Sequence, residues 1–290
     1  MKNTLKLFGI VLAVILTVSA CAPQPATPAA APTVPQPTTP AATPTVQATK
    51  APADLYQKIM QKGVMVVGTS ADYAPFESKD QNGNYVGLDV DVINQIGKQM
   101  GVKVQIEDMG FDVLITAVEQ GKIDAVIASM SATPERAQQV DFTIPYFFGD
   151  QTFLAAKGST IDFKDPKEAA KYRIGVQSGT IHDTWVTNNL VNAGLMSADK
   201  VSRYERADNA ALDLNAGRID LLFIDASPAL DLISKMGLKN VLTGDICHTA
   251  GAAIAVPKGE TELKQALDKQ IQALIDQGFM AQEKTQWNAH

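Results

Sequence analysis

Apolar residues set two rhythms along most of this chain. From Leu88 they recur at Val92, Ile96 and Met100, one face of a helix that Gly101 should end. Phe111, Leu114, Ile115 and Val118 fall at i, i+3, i+4 and i+7, a second amphipathic helix stopped at Gly121. Leu263, Leu267, Ile271, Leu274 and Ile275 give a long helix near the end one apolar face, and residues 207–216 read as another helix ending at Gly217. Between these lie short apolar runs of strand length: 64–68, 102–106, 123–128, 151–156, 173–176, 201–204 and 251–256. A turn at 81–84 has Gly83 available for positive φ. Strands alternating with helices predict an α/β fold built on mostly parallel sheets flanked by helices.

The grammar occurs twice. GKID (121–124) closes one helix and opens a strand, and GRID (217–220) does the same later. Eight residues past Gly121 stands Ser129, and eight past Gly217 stands Asp225. The pattern predicts two similar lobes. The tail after Asp245 is expected to return to the first, so that crossings near 147–151 and 245–250 form a two-segment hinge. Ligands of open α/β sheets lie beyond the carboxyl ends of the strands. Residues 69–76, 129–136 and 177–180, with Asp225, should therefore face ligand.

The segment 121–146 carries the first candidate chemistry. A buried strand runs into the polar loop Ser129-Met130-Ser131, then Thr133 as helix N-cap, Pro134 at the first helical position and Glu135 in the first turn. Arg136 follows one turn on. Hydroxyls, free N–H groups, a helix N-terminus and a guanidinium together suit a carboxylate. An ordinary strand–turn–helix with a surface arginine fits the same residues. If two lobes face each other, Arg136 and Asp225 become opposite poles, which a zwitterion such as an α-amino acid satisfies.

The start of the chain is different. Lys2 and Lys6 precede an apolar run, 7–18, shorter than a typical membrane span, so residues 1–20 read as a signal peptide. Val18-Ser19-Ala20-Cys21 resembles a lipobox, with Cys21 the lipidated residue; a plain secretory signal is the alternative. Residues 21–51, rich in Pro, Ala and Thr, cannot bury a core and read as a tether. One lipid signal gives an anchor, not a span. The expected organisation is lobe 1 from 52–148 and 249–290, and lobe 2 from 149–248. The expected location is extracytoplasmic, at the cell surface or in the periplasm.

Charge and composition exclude some partners. A net charge of −6 argues against nucleic acid, which needs a basic face. Two cysteines and three histidines leave no zinc pattern, and no cofactor or metal is expected. With Cys21 lipidated, Cys247 remains as a small buried hydrophobe. A monomer is expected.

The residues also resemble a family, the amino-acid-binding proteins of ABC importers with the type II periplasmic-binding-protein fold (family 3 extracellular solute-binding proteins, in lipoprotein form). The matching pieces are GTSADYAPFE (68–77), GLDVDV (87–92), GFDVLI (110–115), GKIDAVIASMSATPER (121–136), VDFTIPY (140–146), VQSGT (176–180), GRID…D (217–225) and AIAVPKG (253–259). A terminal Gly278…Lys284…Trp287 completes them. The resemblance implies that Arg136 grips the ligand α-carboxylate. It implies backbone and hydroxyl contacts from Ser129 and Ser131, and help with the carboxylate from Thr180. Asp225 would receive the α-ammonium, and Tyr73 and Phe111 would sandwich the aliphatic stem. Ser70 and Gln177 would meet the ligand side chain. It also implies an ABC permease as partner and no catalysis.

Two features depart from the family pattern. Relatives that bind basic amino acids often have an acid where Ser70 stands, so a polar neutral ligand is favoured, with Asp72 and Glu77 as nearby acids that could still serve a cation. Cys247-His248-Thr249-Ala250 replaces the usual aromatic and glycine residues.

Other readings stay open for single residues. Tyr73 and Phe111 also fit plain core, and Asp225 a helix cap. Ser178, His182 and Asp183 crowd a helix start, so capping and solvent exposure are expected of them rather than a catalytic triad. Asp89 and Asp91 read as first-turn acids favoured by the helix dipole. The alternatives for the whole chain are a sensory ligand-binding module and a cyclohexadienyl dehydratase-like enzyme on the same fold.

Overall fold

The computed structural model describes residues 54–290. The expected signal peptide, Cys21 and tether lie outside the described residues.

Helix α1 (Leu55–Lys62) leads into β1 (Val64–Thr69), and a small hairpin, β2 (Ser78–Lys79) and β3 (Tyr85–Val86), precedes α2 (Leu88–Met100) and β4 (Lys103–Asp108). A 3-10 turn at Phe111–Val113 runs into α3 (Leu114–Glu119), then β5 (Ala125–Val126), a second 3-10 turn at Arg136–Gln138, and β6 (Val140–Phe142). Next come β7 (Gln151–Ala155), β8 (Ile174–Gln177), α4 (Ile181–Val186), β9 (Val201–Tyr204) and α5 (Ala207–Asn215). β10 (Leu221–Asp225), α6 (Ala226–Met236) and β11 (Lys239–Gly244) complete this second run. β12 (Ala255–Pro257), α7 (Thr261–Asp276) and α8 (Phe279–Gln286) end the chain.

These strands make two five-stranded sheets, in the orders β4-β1-β5-β12-β6 and β11-β7-β10-β8-β9. β4, β1 and β5 run parallel, as do β9, β8 and β10. β12 is antiparallel to both β5 and β6, and β7 is antiparallel to both β10 and β11. The chain crosses from the first sheet to the second between β6 and β7 and returns between β11 and β12.

The helices form where the apolar period is cleanest. α2 buries Leu88, Val92, Ile93 and Ile96 against the first sheet's core and stops at Gly101, whose φ of 74° suits a residue without Cβ. α7 buries Leu263, Leu267, Ile271 and Leu274 completely, each contributing about 1.5–3 kcal/mol. Ile275 was expected on that face but is 41% exposed. At 3.6 residues per turn it sits about 120° from Leu263, whereas Leu274 falls almost back in line.

Three other expectations change. The strand expected at 123–128 is only Ala125–Val126, and that expected at 251–256 is only Ala255–Pro257. The helix expected after Thr133 is one 3-10 turn. Thr133 does behave as a cap, its Oγ accepting the Arg136 N–H at 3.3 Å, but β6 begins too soon for an α-helix to develop. The macrodipole argument for this segment therefore fails, and the guanidinium itself must supply the positive charge.

Candidate functional site

The loops beyond β1, β5 and β8 and the last residue of β10 converge on one narrow pocket between the two sheets. Ser70, Tyr73, Phe111, Ser129 and Ser131 line it from the side of the first sheet, with Arg136. Gln177, Thr180 and Asp225 line it from the second. All nine residues singled out in the sequence thus share one cavity. A wider groove of ≈ 1410 Å³ flanks it beyond Arg136, but the opposed charges meet in the smaller pocket.

Arg136 spans the cleft. Its Nη1 donates to the Ser131 carbonyl at 2.8 Å and its Nη2 to the Gly179 carbonyl at 2.9 Å, so one guanidinium ties loops of both sheets. Its Cζ lies 5.2 Å from the centroid of the Phe111 ring, a cation–π contact. Burial lowers its pKa to about 10, with Asp225 acting in the opposite direction, and it remains charged at neutral pH.

Asp225 ends β10 and occupies the N-cap position of α6, yet its side chain makes no capping bond. The carboxylate turns instead to the pocket. Tyr73 Oη donates to Oδ2 at 2.8 Å and accepts the Asp225 N–H at 3.2 Å. His182 Nε2 lies 3.3 Å from Oδ1. Tyr73 and Phe111 are both buried, and Tyr73 lies in offset stacking with Phe76 at 6.3 Å.

Two of the expected donors are already engaged. The Ser129 N–H donates to Asp89 Oδ2 at 2.6 Å, and Ser129 takes a φ of 46°. The Thr180 hydroxyl donates to the Gln177 carbonyl at 2.7 Å and accepts the Asp183 N–H at 3.2 Å, capping α4. These two groups shape the pocket wall rather than offering free donors.

Acids stand in the pocket wall and behind it. Ser70 Oγ donates to Asp72 Oδ1 at 2.6 Å, and Gln177 Nε2 donates to Asp72 Oδ2 at 3.2 Å. Glu77 lines the same pocket, is 1% exposed, and leaves Oε2 without a hydrogen-bond partner. Asp89, which does stand in the first turn of α2 as expected, is fully buried and also accepts from Tyr146 Oη at 2.7 Å. Burial pushes Asp89 up to about 6, against the lowering effect of its hydrogen bonds from Tyr146 and Ser129. Burial and then the neighbouring Asp89 hold Glu77 well above the usual carboxylate range. Asp72 is raised by burial in the same way.

Two pocket residues were misjudged from sequence. Glu77 was given only a marginal part. His182 was expected to be exposed, yet it is 3% exposed and lines the pocket, because Phe223 packs edge-on against its ring at 4.9 Å. Ser178, His182 and Asp183 form no triad: Asp183 accepts from Arg203 Nε at 2.8 Å and from the Gly179 N–H at 3.3 Å. Cys247 is partly buried against the second core, and burial raises its thiol pKa. Among the described residues no cluster of His, Cys, Asp and Glu could hold a metal ion. No helix among them is long and apolar enough to cross a membrane.

The sequence profile of the bacterial extracellular solute-binding proteins, family 3, matches residues 65–290. The L-arginine-binding protein of Pseudomonas aeruginosa is 34% identical over 220 residues, which span 73% of this chain and 83% of that protein. The L-cystine-binding protein of Escherichia coli is 26% identical over 238 residues, 82% of this chain and 87% of the relative. Among solved structures, an ancestral arginine-binding protein bound to arginine superposes with a TM-score of 0.71 at 34% identity, covering 78% of this chain and 98% of that one. An ancestral amino-acid-binding protein, described as a precursor of cyclohexadienyl dehydratase, gives 0.72 at 29% identity, with 80% and 98% covered. The fold is the two-lobed α/β type II periplasmic-binding-protein architecture.

Proposed function

The chain belongs to family 3 of the bacterial extracellular solute-binding proteins, and from that premise we propose that it captures an α-amino acid with a long polar side chain, L-arginine foremost. The observation that carries this reading is the placement of Arg136 and Asp225, opposite charges from opposite sheets, in one enclosed pocket. The α-carboxylate docks on Arg136 beside Ser129 and Ser131, and the α-ammonium docks on Asp225. Tyr73 and Phe111 pack the aliphatic stem. Ser70, Gln177 and Glu77 receive the side-chain end, with Thr180 shaping the wall between.

The preference for a cationic side chain rests on Glu77. Glu77 is a buried carboxyl in the pocket wall whose proton Asp89 can share, and a guanidinium would draw it into its ionised form. The acid missing at Ser70 is thereby replaced by Glu77, further along the same loop after β1. The arginine named in the relatives supports the same choice.

The rest follows the family role. The protein works outside the cytoplasm, without catalysis, and passes the amino acid to an ABC permease. Lobe 1 comprises 52–148 and 249–290 and lobe 2 comprises 149–248, a division supported by which sheet each strand joins. Closure of the lobes excludes water and forms the surface that the permease reads. Lipidation at Cys21 keeps the protein, a monomer, at the membrane.

The test is a thermal-shift screen of the purified protein against the twenty amino acids, repeated with Arg136→Ala. A ligand that binds only the folded state raises Tm by mass action. L-arginine should give the largest shift, and Arg136→Ala should lose roughly 2–5 kcal/mol of binding free energy. Undiminished binding by that variant would defeat the carboxylate assignment.

A further inference from the structure

Asp72 stands behind the pocket wall rather than in it, and its side chain is 2% exposed. Two residues of the wall are tied to it. Ser70 Oγ donates to Oδ1 at 2.6 Å, and Gln177 Nε2 donates to Oδ2 at 3.2 Å. The direction of both bonds is fixed by the other groups around them. Oδ2 also accepts the Ala207 N–H, and Arg206 Nη1 lies 3.5 Å from Oδ1. Neither of these can accept, so the carboxylate is the acceptor of the cluster. Gln177 Nε2 also donates to the Glu205 carbonyl at 3.1 Å, a second group that can only accept.

These commitments decide what the wall offers. The amide nitrogen of Gln177 is turned to Asp72 and Glu205, and its Oε1 has no hydrogen-bond partner among the described residues. The Ser70 hydroxyl has given its one proton to Asp72. Gln177 Nε2, at 3.4 Å, takes one Ser70 lone pair and leaves the other. Both side chains line the pocket, and each has only an oxygen lone pair left for a ligand.

We infer, on the reading of the cleft as an α-amino-acid site, that Asp72 is a positioning residue for the ligand's side chain. By engaging the Ser70 proton and the Gln177 amide nitrogen it presents both residues as acceptors, so the cleft selects amino acids whose side chain ends in an N–H donor. A guanidinium or a primary amide meets these oxygens with hydrogens. A side chain of the same shape that ends in lone pairs and a methyl group leaves them unpaired, which costs affinity. Glu77 acts differently: its charge favours a cation but does not separate two neutral side chains.

The experiment is calorimetric titration of the full-length protein, by displacement of L-arginine, with L-glutamine and L-methionine sulfoxide. These are neutral amino acids with equal numbers of heavy atoms, and the sulfoxide has a methyl where glutamine has its NH2. Wild type should bind L-glutamine roughly tenfold more tightly, the worth of about one hydrogen bond. In Asp72→Asn the Ala207 N–H keeps the introduced oxygen on its own side, so the introduced NH2 faces Ser70 Oγ and frees the hydroxyl proton toward the ligand. The preference should then shrink to about threefold or less. The same substitution made on Ser70→Ala should leave that variant's preference unaltered, because Asp72 acts through the hydroxyl. Asp72→Ala, which also deprives Ser70 of its acceptor, serves should Asp72→Asn fold poorly. Equal wild-type affinities, failure of L-glutamine to displace L-arginine, or a preference that survives in Asp72→Asn while both affinities fall together would overturn the inference and leave the amino-acid reading standing. Absence of binding heat with all twenty amino acids would overturn that reading and the inference with it.

Discussion

Tyr73 and Asp225 lie 152 residues apart and bind each other twice, the phenol donating to the carboxylate and accepting the backbone N–H of the same residue. The pair joins the loop after β1 to the end of β10, so Asp225, the proposed partner of a ligand ammonium, is oriented from the opposite lobe. Tyr73→Phe keeps the ring and removes both bonds. Amino-acid affinity should fall by roughly ten- to a hundredfold, the worth of about one hydrogen bond to a charged group, while Tm without ligand changes little. Calorimetric titration beside a melting curve separates the two effects.

Arg206 and Asp108 form a second link across the cleft, outside the pocket. Arg206 Nη1 and Nη2 donate to the two Asp108 oxygens at 2.8 and 2.9 Å, and Lys79 adds a third contact at 2.8 Å. Burial alone would raise Asp108, but the hydrogen bonds from Arg206 and Lys79 hold it at about 2. Asp72 reinforces the link by accepting the Ala207 N–H at the start of α5. Asp108→Asn should speed ligand release several-fold with a smaller effect on the association rate, and added salt should shrink the difference. Stopped-flow displacement at two ionic strengths reads both. Equal release rates would show that the cleft is held by ligand contacts alone.

The buried acids predict an unusual pH dependence of stability. Asp89 keeps its proton in the folded chain up to about pH 6, whereas the unfolded chain releases it near its ordinary value of 3.8. Between these values the folded state binds more protons, so stability falls as pH rises through that window and is level above it. Glu77 acts in the same direction. Acids held low, such as Asp108 and Asp141, lose their contribution only as pH falls below about 4. Urea denaturation should give a wild type more stable at about pH 5 than at about pH 7.5, by on the order of 1–2 kcal/mol. Asp89→Asn should flatten that slope, and an unaltered slope would remove Asp89 as its cause.

Gly87 makes a backbone prediction. At its φ of 133° a Cβ would stand 2.1 Å from the Phe76 carbonyl oxygen, which belongs to the rigid pocket loop. Gly87→Ala should destabilise the protein by more than about 2 kcal/mol and weaken binding with it, because the displaced loop carries Tyr73 and Glu77. Gly83→Ala is the control, since nothing lies within 4 Å of a Cβ built there. Its effect should be smaller and confined to stability.

Much of the fold was written in periodicity and stop signals. α2 spans the expected residues because four apolar positions share a face and Gly101 closes it. Parallel pairing of β4, β1 and β5 followed from the alternation of strands with helices. The parts that escaped are those fixed by partners distant in sequence. β12 and β6 pair antiparallel, which no local pattern encodes, and α8 buries only Met280 and Glu283, too few for a periodic face. At the site, the strand-end rule pointed to the segments holding eight of the nine pocket side chains, and the family resemblance added Phe111. Hydrogen-bond commitments were invisible: nothing near Ser129 reveals that Asp89, forty residues earlier, takes its N–H. His182 was misjudged because its burial depends on Phe223, which belongs to another strand.

The position of β12 bears on how the molecule is made. It lies inside the first sheet, between β5 and β6, and it is the strand that β6 pairs with. Ala252 just before it bridges to both Ser131 and Phe147. A nascent chain therefore emerges with the whole second sheet before the first can be completed. Until the last turns of synthesis, β6 has no neighbour and the loop bearing Arg136 lacks its support. All strands of the second sheet can pair before β12 is made, whereas the loop before Arg136 gains its bridge to Ala252 only when the chain returns to the first sheet.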